Sequence, residues 1–321
     1  MEERIVDQWS NPLIEQRADP WMMLHQDGYY YFTATVPEYN HIELRRSKTI
    51  NGLSVAEPKA VWHEHEEGAM KYHIWAPEIH YIQGKWYIYF AAGHAEDEWR
   101  IRMYVLECEE ANPLEGKWVE KGQIQTHWDS FSLDATSFEH KDKLYLIWAQ
   151  SDPNIKGNSN LYIDEMLNPW TLSGRQAMIS TPEYEWERIG FNVNEGPAVL
   201  KANGKIYVTY SASKTDYNYC IGLLEIDEKK DFLKAENWVK HTEPVFRTYA
   251  QNSQFGPGHN SFVRIKGTQQ IGMVYHARNY RNIEGDPLSD PNRHTRVQLI
   301  DIQENGIDFG VPVKNGTYQL N

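Results

Sequence analysis

The sequence predicts an all-β protein, a five-bladed β-propeller, on three observations. One unit recurs five times: with Tyr30, Tyr87, Tyr145, Tyr207 and Gly272 as equivalent positions, the intervals are 57, 58, 62 and 65 residues, room for about four strands and their loops. Every unit runs an apolar strand into a turn of Gly, Asp or Lys and returns in a strand rich in Tyr, Ile, Val and Trp, the pattern of a β-hairpin. Helical periodicity is sparse and no linker or low-complexity tract divides the chain, so residues 1–321 read as one propeller domain.

In chain order, the first unit is Ala18-Asp-Pro-Trp-Met-Met-Leu, an Asp27-Gly28 turn, and a strand over 29–34. The second runs from Ala76-Pro-Glu through a Gly84-Lys85 turn into 86–91, and the third from Leu133-Asp-Ala-Thr through Lys141-Asp-Lys into 144–149. The fourth, the clearest, opens with Asn192-Val-Asn-Glu-Gly-Pro, turns at Asn203-Gly-Lys and returns over 205–213. The fifth and weakest starts at His259-Asn-Ser and returns over 271–276. Further strands follow within the units, at 100–106 and 221–226, and 227–233 reads as a turn or short helix.

In a propeller the innermost strands line a central channel, so like positions in different units converge there. Asp19 and Asp134 each stand 11 residues before their reference Tyr, and Glu195 stands 12 before its own. Alone, each is an ordinary turn or strand-end acid; their recurrence with the repeat points to one shared site. Cleaving a glycosidic bond needs an acid to protonate the leaving oxygen and a base or nucleophile at the anomeric carbon, and a third carboxylate near the acid raises its pKa. These three residues can fill those roles.

The bulk properties exclude other classes. A formal charge of −13 with no Lys/Arg cluster argues against nucleic acid or an anionic membrane as partner, whereas a neutral sugar is indifferent to it. Cys108 and Cys220 lie far apart and outside any C-x-x-C spacing, so they read as free thiols. The charged start, Met-Glu-Glu-Arg, lacks a signal-peptide apolar run, from which a cytoplasmic location is expected unless a leader was trimmed.

Taken together, Ala18-Asp19-Pro20, Trp75-Ala76-Pro77-Glu78, Leu133-Asp134-Ala-Thr, Asn194-Glu195-Gly196-Pro197 and Gly256-Pro-Gly-His259-Asn260 resemble glycoside hydrolase family 43, the five-bladed propeller glycosidases, over nearly the whole chain. The resemblance implies an inverting hydrolase: Asp19 as general base, Glu195 as general acid, and Asp134 orienting the acid and tuning its pKa, with acid and base roughly 6.5–9.5 Å apart to admit a water. Ala135 departs from the family, which usually has proline after the middle aspartate. The resemblance further implies that His259 holds a water or a metal in the central channel. It implies no required cofactor, only a structural Ca²⁺ as an option there. It also implies that Arg296 reaches the sugar and Asp134. Trp75 is the expected sugar-stacking ring.

The family acts mainly on arabinose- and xylose-containing plant polymers, in arabinan and xylan degradation. With no room for a C-terminal sandwich after the last unit, and with motif wording closest to exo-acting enzymes, the expectation is an α-L-arabinofuranosidase trimming α-1,5-linked arabinan or arabino-oligosaccharides. Endo-arabinanase or β-xylosidase activity within the family, and a non-catalytic carbohydrate-binding propeller, are the alternatives. Residues 36–68 and 278–294 are the expected cleft walls.

Overall fold

The computed structural model describes residues 8–320, which leaves the charged first residues used for the location outside it. Five antiparallel sheets follow one another along the chain, each visited strand by strand in sequence order. Blade one comprises Ala18–Leu24, Tyr30–Thr35, His41–Ser47 and Lys59–His63. Blade two comprises Ala69–Ile82, Lys85–His94, Asp97–Cys108 and Val119–Gln123. Blade three is Ser132–His140, Lys143–Gln150, Asn160–Asn168 and Thr171–Leu172, with Ala177–Ser180 added to its third strand. Blade four is Asn194–Ala202, Lys205–Ala212, Cys220–Asp227 and Val239–Lys240; blade five is Phe255–Arg264, Ile271–Arg278, His294–Gln303 and Gly306–Asp308. The first strand of each blade touches the first strands of its two neighbours, blade five against blade one included, so the ring is closed and these strands line its axis.

Local chemistry explains the hairpins. Gln83-Gly84, Lys141-Asp142 and Asn203-Gly204 form two-residue turns with both φ values positive, which match the right-handed twist of the strands they join. Apolar cores lie between blades: Tyr31, Ile42, Ile79 and Phe90 join one and two, and Ile147, Ile163, Val208 and Leu224 join three and four. The segment 227–233 is a turn, with Lys230 N donating to Asp227 O at 3.0 Å. The α-helix is instead Ile50–Val55, a single short piece whose N-cap Thr49 accepts from Gly52 N at 3.1 Å. Cys108 and Cys220 are free and buried.

One irregularity recurs in every blade and builds the site. In every blade the innermost strand loses register with the second strand at a matching place, and within that gap sits a residue with positive φ: Asp19 (51°), Ala76 (45°), Asp134 (57°), Gly196 (54°) and His259 (43°). These are β-bulges, which re-aim side chains at the cost of ladder hydrogen bonds. The one-residue offset of Glu195 in the repeat follows: Gly196 takes the bulge position in blade four, and Glu195 precedes it.

The freed N–H at the bulge is met by the preceding blade in four of the five cases. Ala76 N donates to Thr35 Oγ1 (2.7 Å), His259 N to Ser211 Oγ (2.7 Å), and Asp19 N to His276 Nδ1 (3.0 Å). Thr35, Ser211 and His276 hold like places on the second strands, each paired with or next to the residue before the bulge. In blade three that place is Ala149, opposite Leu133, and has no polar group. Gly196 N therefore turns to the Asp134 carboxylate, Oδ2, at 2.9 Å.

The ends of the described chain meet on blade five. Gln8–Asn11 pairs with Gly316–Gln319, and the amide of buried Asn11 both accepts from Val297 N (2.9 Å) and donates to Val297 O (2.7 Å). Asn11→Ala takes the acceptor from buried Val297 N, while Val297 O keeps Trp9 Nε1 at 2.9 Å; a buried group left unpaired costs about 1–3 kcal/mol. Urea unfolding should show a loss of about 1–3 kcal/mol; an unchanged midpoint would show that the two ends do not brace the ring.

Candidate active site

Asp19, Asp134, Glu195, Trp75 and His259 meet in one pocket at the end of the axis, with Tyr219, Leu288 and Arg293 completing its wall. Each carboxylate arrives on the innermost strand of its blade, beside or at a bulge, and so faces the axis. Asp19 is nine-tenths buried and held from several sides: Thr35 Oγ1 donates at 2.6 Å, and Arg293 Nη1 lies 3.4 Å from its Oδ1. His259 Nδ1 stands 3.3 Å from the same oxygen and 3.9 Å from Asp134 Oδ2. His276 accepts from Asp19 N through Nδ1 and is therefore neutral there, stacked parallel on the Tyr219 ring.

The three acids differ in electrostatics. Burial pushes the Asp19 carboxyl up, but the Arg293 guanidinium foremost, with His259 and the Thr35 hydroxyl, outweighs it and holds the group well below the carboxylate range. Glu195 moves the other way, up to about 7, through burial first and the negative charge of Asp19, opposed by Tyr219 OH donating to its Oε1 at 2.8 Å and by Arg293. Asp134 is raised well above its ordinary value by burial and then by Glu195 and Asp19. The pocket thus holds one firm negative charge, on Asp19, and favours the protonated form of the other two acids. The charge acting on Glu195 is that of Asp19; Asp134 contributes through its bond to Gly196, the residue that follows the acid.

Two glycines make this geometry possible. A Cβ on Gly196 would stand 3.0 Å from the His259 ring, and one on Gly258 would stand 2.2 Å from the Tyr219 ring, which could then not reach Glu195.

Arg296 does not enter the pocket. It is fully buried within blade five, donating to Asn315 Oδ1 (2.7 Å) and Asn279 Oδ1 (2.5 Å). Arg293, three residues earlier and just before the strand His294–Gln303, is the arginine that reaches Asp19. The repeat pattern carried no signal for Thr35 and His276, which come from second strands, or for Tyr219 and Arg293, which come from the loops just before third strands; buried-polar side chains at those places were the clue available. The two expected walls meet beside the pocket: Tyr39 OH donates to Leu288 O and accepts from Arg293 Nη2 at 3.2 Å. Trp75 lines the pocket and also an outer cleft that opens from it, with Trp99, Phe131, Phe191 and Leu288. Glu195 lines both spaces, Asp19 only the inner one.

A divalent ion on the axis fits poorly. Among the described residues no group of three or more His, Cys, Asp or Glu is arranged to hold one. The unpartnered buried polar atoms near His259, the Asn260 amide and His276 Nε2, are neutral donors and acceptors suited to water rather than to a Ca²⁺ that takes 6–8 oxygens.

Residues 9–307 match the family described as glycosyl hydrolases family 43. The chain is 53% identical over 309 residues to a Streptomyces avermitilis protein named extracellular exo-α-(1→5)-L-arabinofuranosidase, covering 96% of this chain and 64% of that protein. A protein of the same name from Streptomyces chartreusis is 52% identical, with 87% and 85% covered. The crystal structure of an α-L-arabinofuranosidase from Lactobacillus brevis superposes with a TM-score of 0.94 at 52% identity, covering 96% of this chain and 98% of the other. This chain therefore spans 64%, less than two-thirds, of the first of these relatives. The names of the two Streptomyces relatives overturn the cytoplasmic location expected from the first residues and point to secretion. Charge in those residues shapes local solvation, not the compartment in which a folded hydrolase works.

Because Arg293 supplies the main charge holding Asp19 ionised, Arg293→Met should move the Asp19 carboxyl pKa upward, followed through its ¹³C shift in aspartate-labelled protein. Arg296→Met should leave that titration where it was. Identical curves for wild type and Arg293→Met would remove Arg293 from this role.

Proposed function

The chain belongs to glycosyl hydrolases family 43, and on that premise we propose that it is an inverting exo-α-L-arabinofuranosidase releasing L-arabinose from α-1,5-linked arabinan or arabino-oligosaccharides. The observation that carries this reading is the division of the two spaces: Glu195 borders the inner pocket and the outer cleft, while Asp19 borders the inner pocket alone. The scissile oxygen then belongs at the join, beside Glu195. One terminal sugar fills the pocket, walled by Leu288 and Arg293, which Tyr39 ties together from behind, and the leaving group runs out along the cleft. An endo-acting enzyme needs a cleft open at both ends, which the bonded loops do not favour. The names of the relatives support the sugar and the linkage.

In the proposed step Asp19 takes a proton from a water whose oxygen bonds to the anomeric carbon. The bond to the leaving oxygen breaks, and Glu195 gives that oxygen its proton. The Asp19 carboxylate and the Glu195 acid begin in the charge states this requires. Trp75 stacks on the sugar face, and Arg293 keeps Asp19 ionised. His259 is assigned to substrate binding, or to holding an axial water. No metal takes part, so chelation should leave turnover within about twofold of the untreated enzyme.

The sign of the pH dependence follows from the two shifts. Asp19, depressed, is ionised throughout the mildly acidic range; Glu195, raised, is protonated until about pH 7. The rate constant kcat/KM on linear arabinotriose should be flat below about 7 and fall above it. Tyr219→Phe removes the bond that favours the Glu195 anion, so the falling limb should move to higher pH. Asp19→Ala and Glu195→Ala should fold as wild type yet lose about 10²–10⁴ in turnover. A variant that keeps near wild-type turnover would lose its assigned role, and a profile still rising at pH 8 would contradict the acid.

A further inference from the structure

Glu187 is a carboxylate that the proposed hydrolytic step leaves unused, and it is wholly buried. It lies in a single 3₁₀ turn, Glu185–Glu187, ahead of the strand that carries Glu195. Its Oε1 accepts from Asn194 Nδ2 (2.9 Å) and Tyr210 OH (2.9 Å), and its Oε2 from Glu183 N (2.7 Å) and Tyr184 N (2.8 Å). Lys240 Nζ, on the outermost strand of blade four, lies 2.7 Å from Oε1 and 3.0 Å from Oε2. A desolvated carboxylate with this many donors is compensated by position, and removing it leaves a buried ammonium and several donors without partners.

The residue this cluster fixes is Asn194, immediately before Glu195. Every polar group of Asn194 is engaged: Nδ2 donates to Glu187 and Val193 O, Oδ1 accepts from Ser180 Oγ (2.6 Å), N donates to Ser159 O (3.1 Å), and O accepts from Ser159 Oγ (3.1 Å). Glu195 is the last residue paired with the second strand before the bulge, so its ladder support comes from one side only. On that side stand Asn194 and, through it, Glu187. Tyr210, which also bonds Glu187, precedes Ser211, the partner of Glu195 across the pair.

We propose that Glu187 is a positioning residue for Glu195, acting through Asn194 to hold the acid where it meets the leaving oxygen. This rests on the reading of Glu195 as general acid. A role in positioning the acid, unlike a role in general stability, affects only leaving groups that need a proton. The test compares linear arabinotriose with a dinitrophenyl α-L-arabinofuranoside, whose phenolate departs unprotonated, in wild type, Glu187→Gln, Asn194→Ala and Glu195→Ala. Asn194→Ala cuts the link while leaving Glu187 with Lys240, and it carries the test if Glu187→Gln does not fold. Glu187→Gln and Asn194→Ala should each lose at least about 30-fold on arabinotriose and less than about threefold on the dinitrophenyl substrate, as a misplaced acid would. Parallel losses on both substrates, or no loss on either, would overturn the proposal while leaving Glu195 in place. A parallel loss in Glu195→Ala itself would remove the acid assignment, and the proposal with it.

Discussion

Everything in this site depends on one backbone constraint: each innermost strand breaks its ladder at a residue held with positive φ. Such a conformation costs on the order of 1–3 kcal/mol for a residue other than glycine, and four of the five positions are Asp19, Ala76, Asp134 and His259. The chain tolerates it because four of the five freed N–H groups, those of Asp19, Ala76, Gly196 and His259, bond to the preceding blade, so these bulges are also seams between blades. Strain at the axis and cohesion of the ring are therefore the same feature. It aims Asp19, Asp134 and His259 inward and leaves Glu195 one step aside, toward the outer cleft.

The chemistry follows from how unequally the pocket treats three similar groups. Asp19 and Asp134 are buried and Glu195 is half-buried, and desolvation alone would favour the neutral form of each. Arg293 and Thr35 rescue the charge on Asp19, and that charge in turn helps keep the proton on Glu195. Asp134, where a polar second-strand residue is missing from its own blade, serves as the acceptor for Gly196 N. It acts on the acid through the backbone that carries it.

The five-bladed ring and the three acids were legible in the sequence because both repeat with the blade. The one-residue offset of Glu195 was visible too, but its cause was not: a bulge position can be filled by Gly196 without leaving any mark in the spacing. Arg293 was missed for Arg296 because the two share one short segment. Which of them faces the axis depends on where the strand begins, and the strand starts at His294, between them. Tyr219, in the loop before the strand Cys220–Asp227, and His276, on a second strand, reach the site over Gly258 and the Asp19 backbone, contacts between residues far apart that no spacing encodes. The short helix at Ile50–Val55 is one turn and a half with a β-branched and glycine content that reads as loop.

The central claim, that an inner pocket seats one terminal sugar between a charged base and a protonated acid, is tested most directly by the first products formed. Linear α-1,5-arabino-oligosaccharides followed by proton NMR from the earliest minutes should show free arabinose appearing first, with its anomeric configuration inverted. Shorter oligosaccharides without monomer, or monomer with retained configuration, would contradict the account.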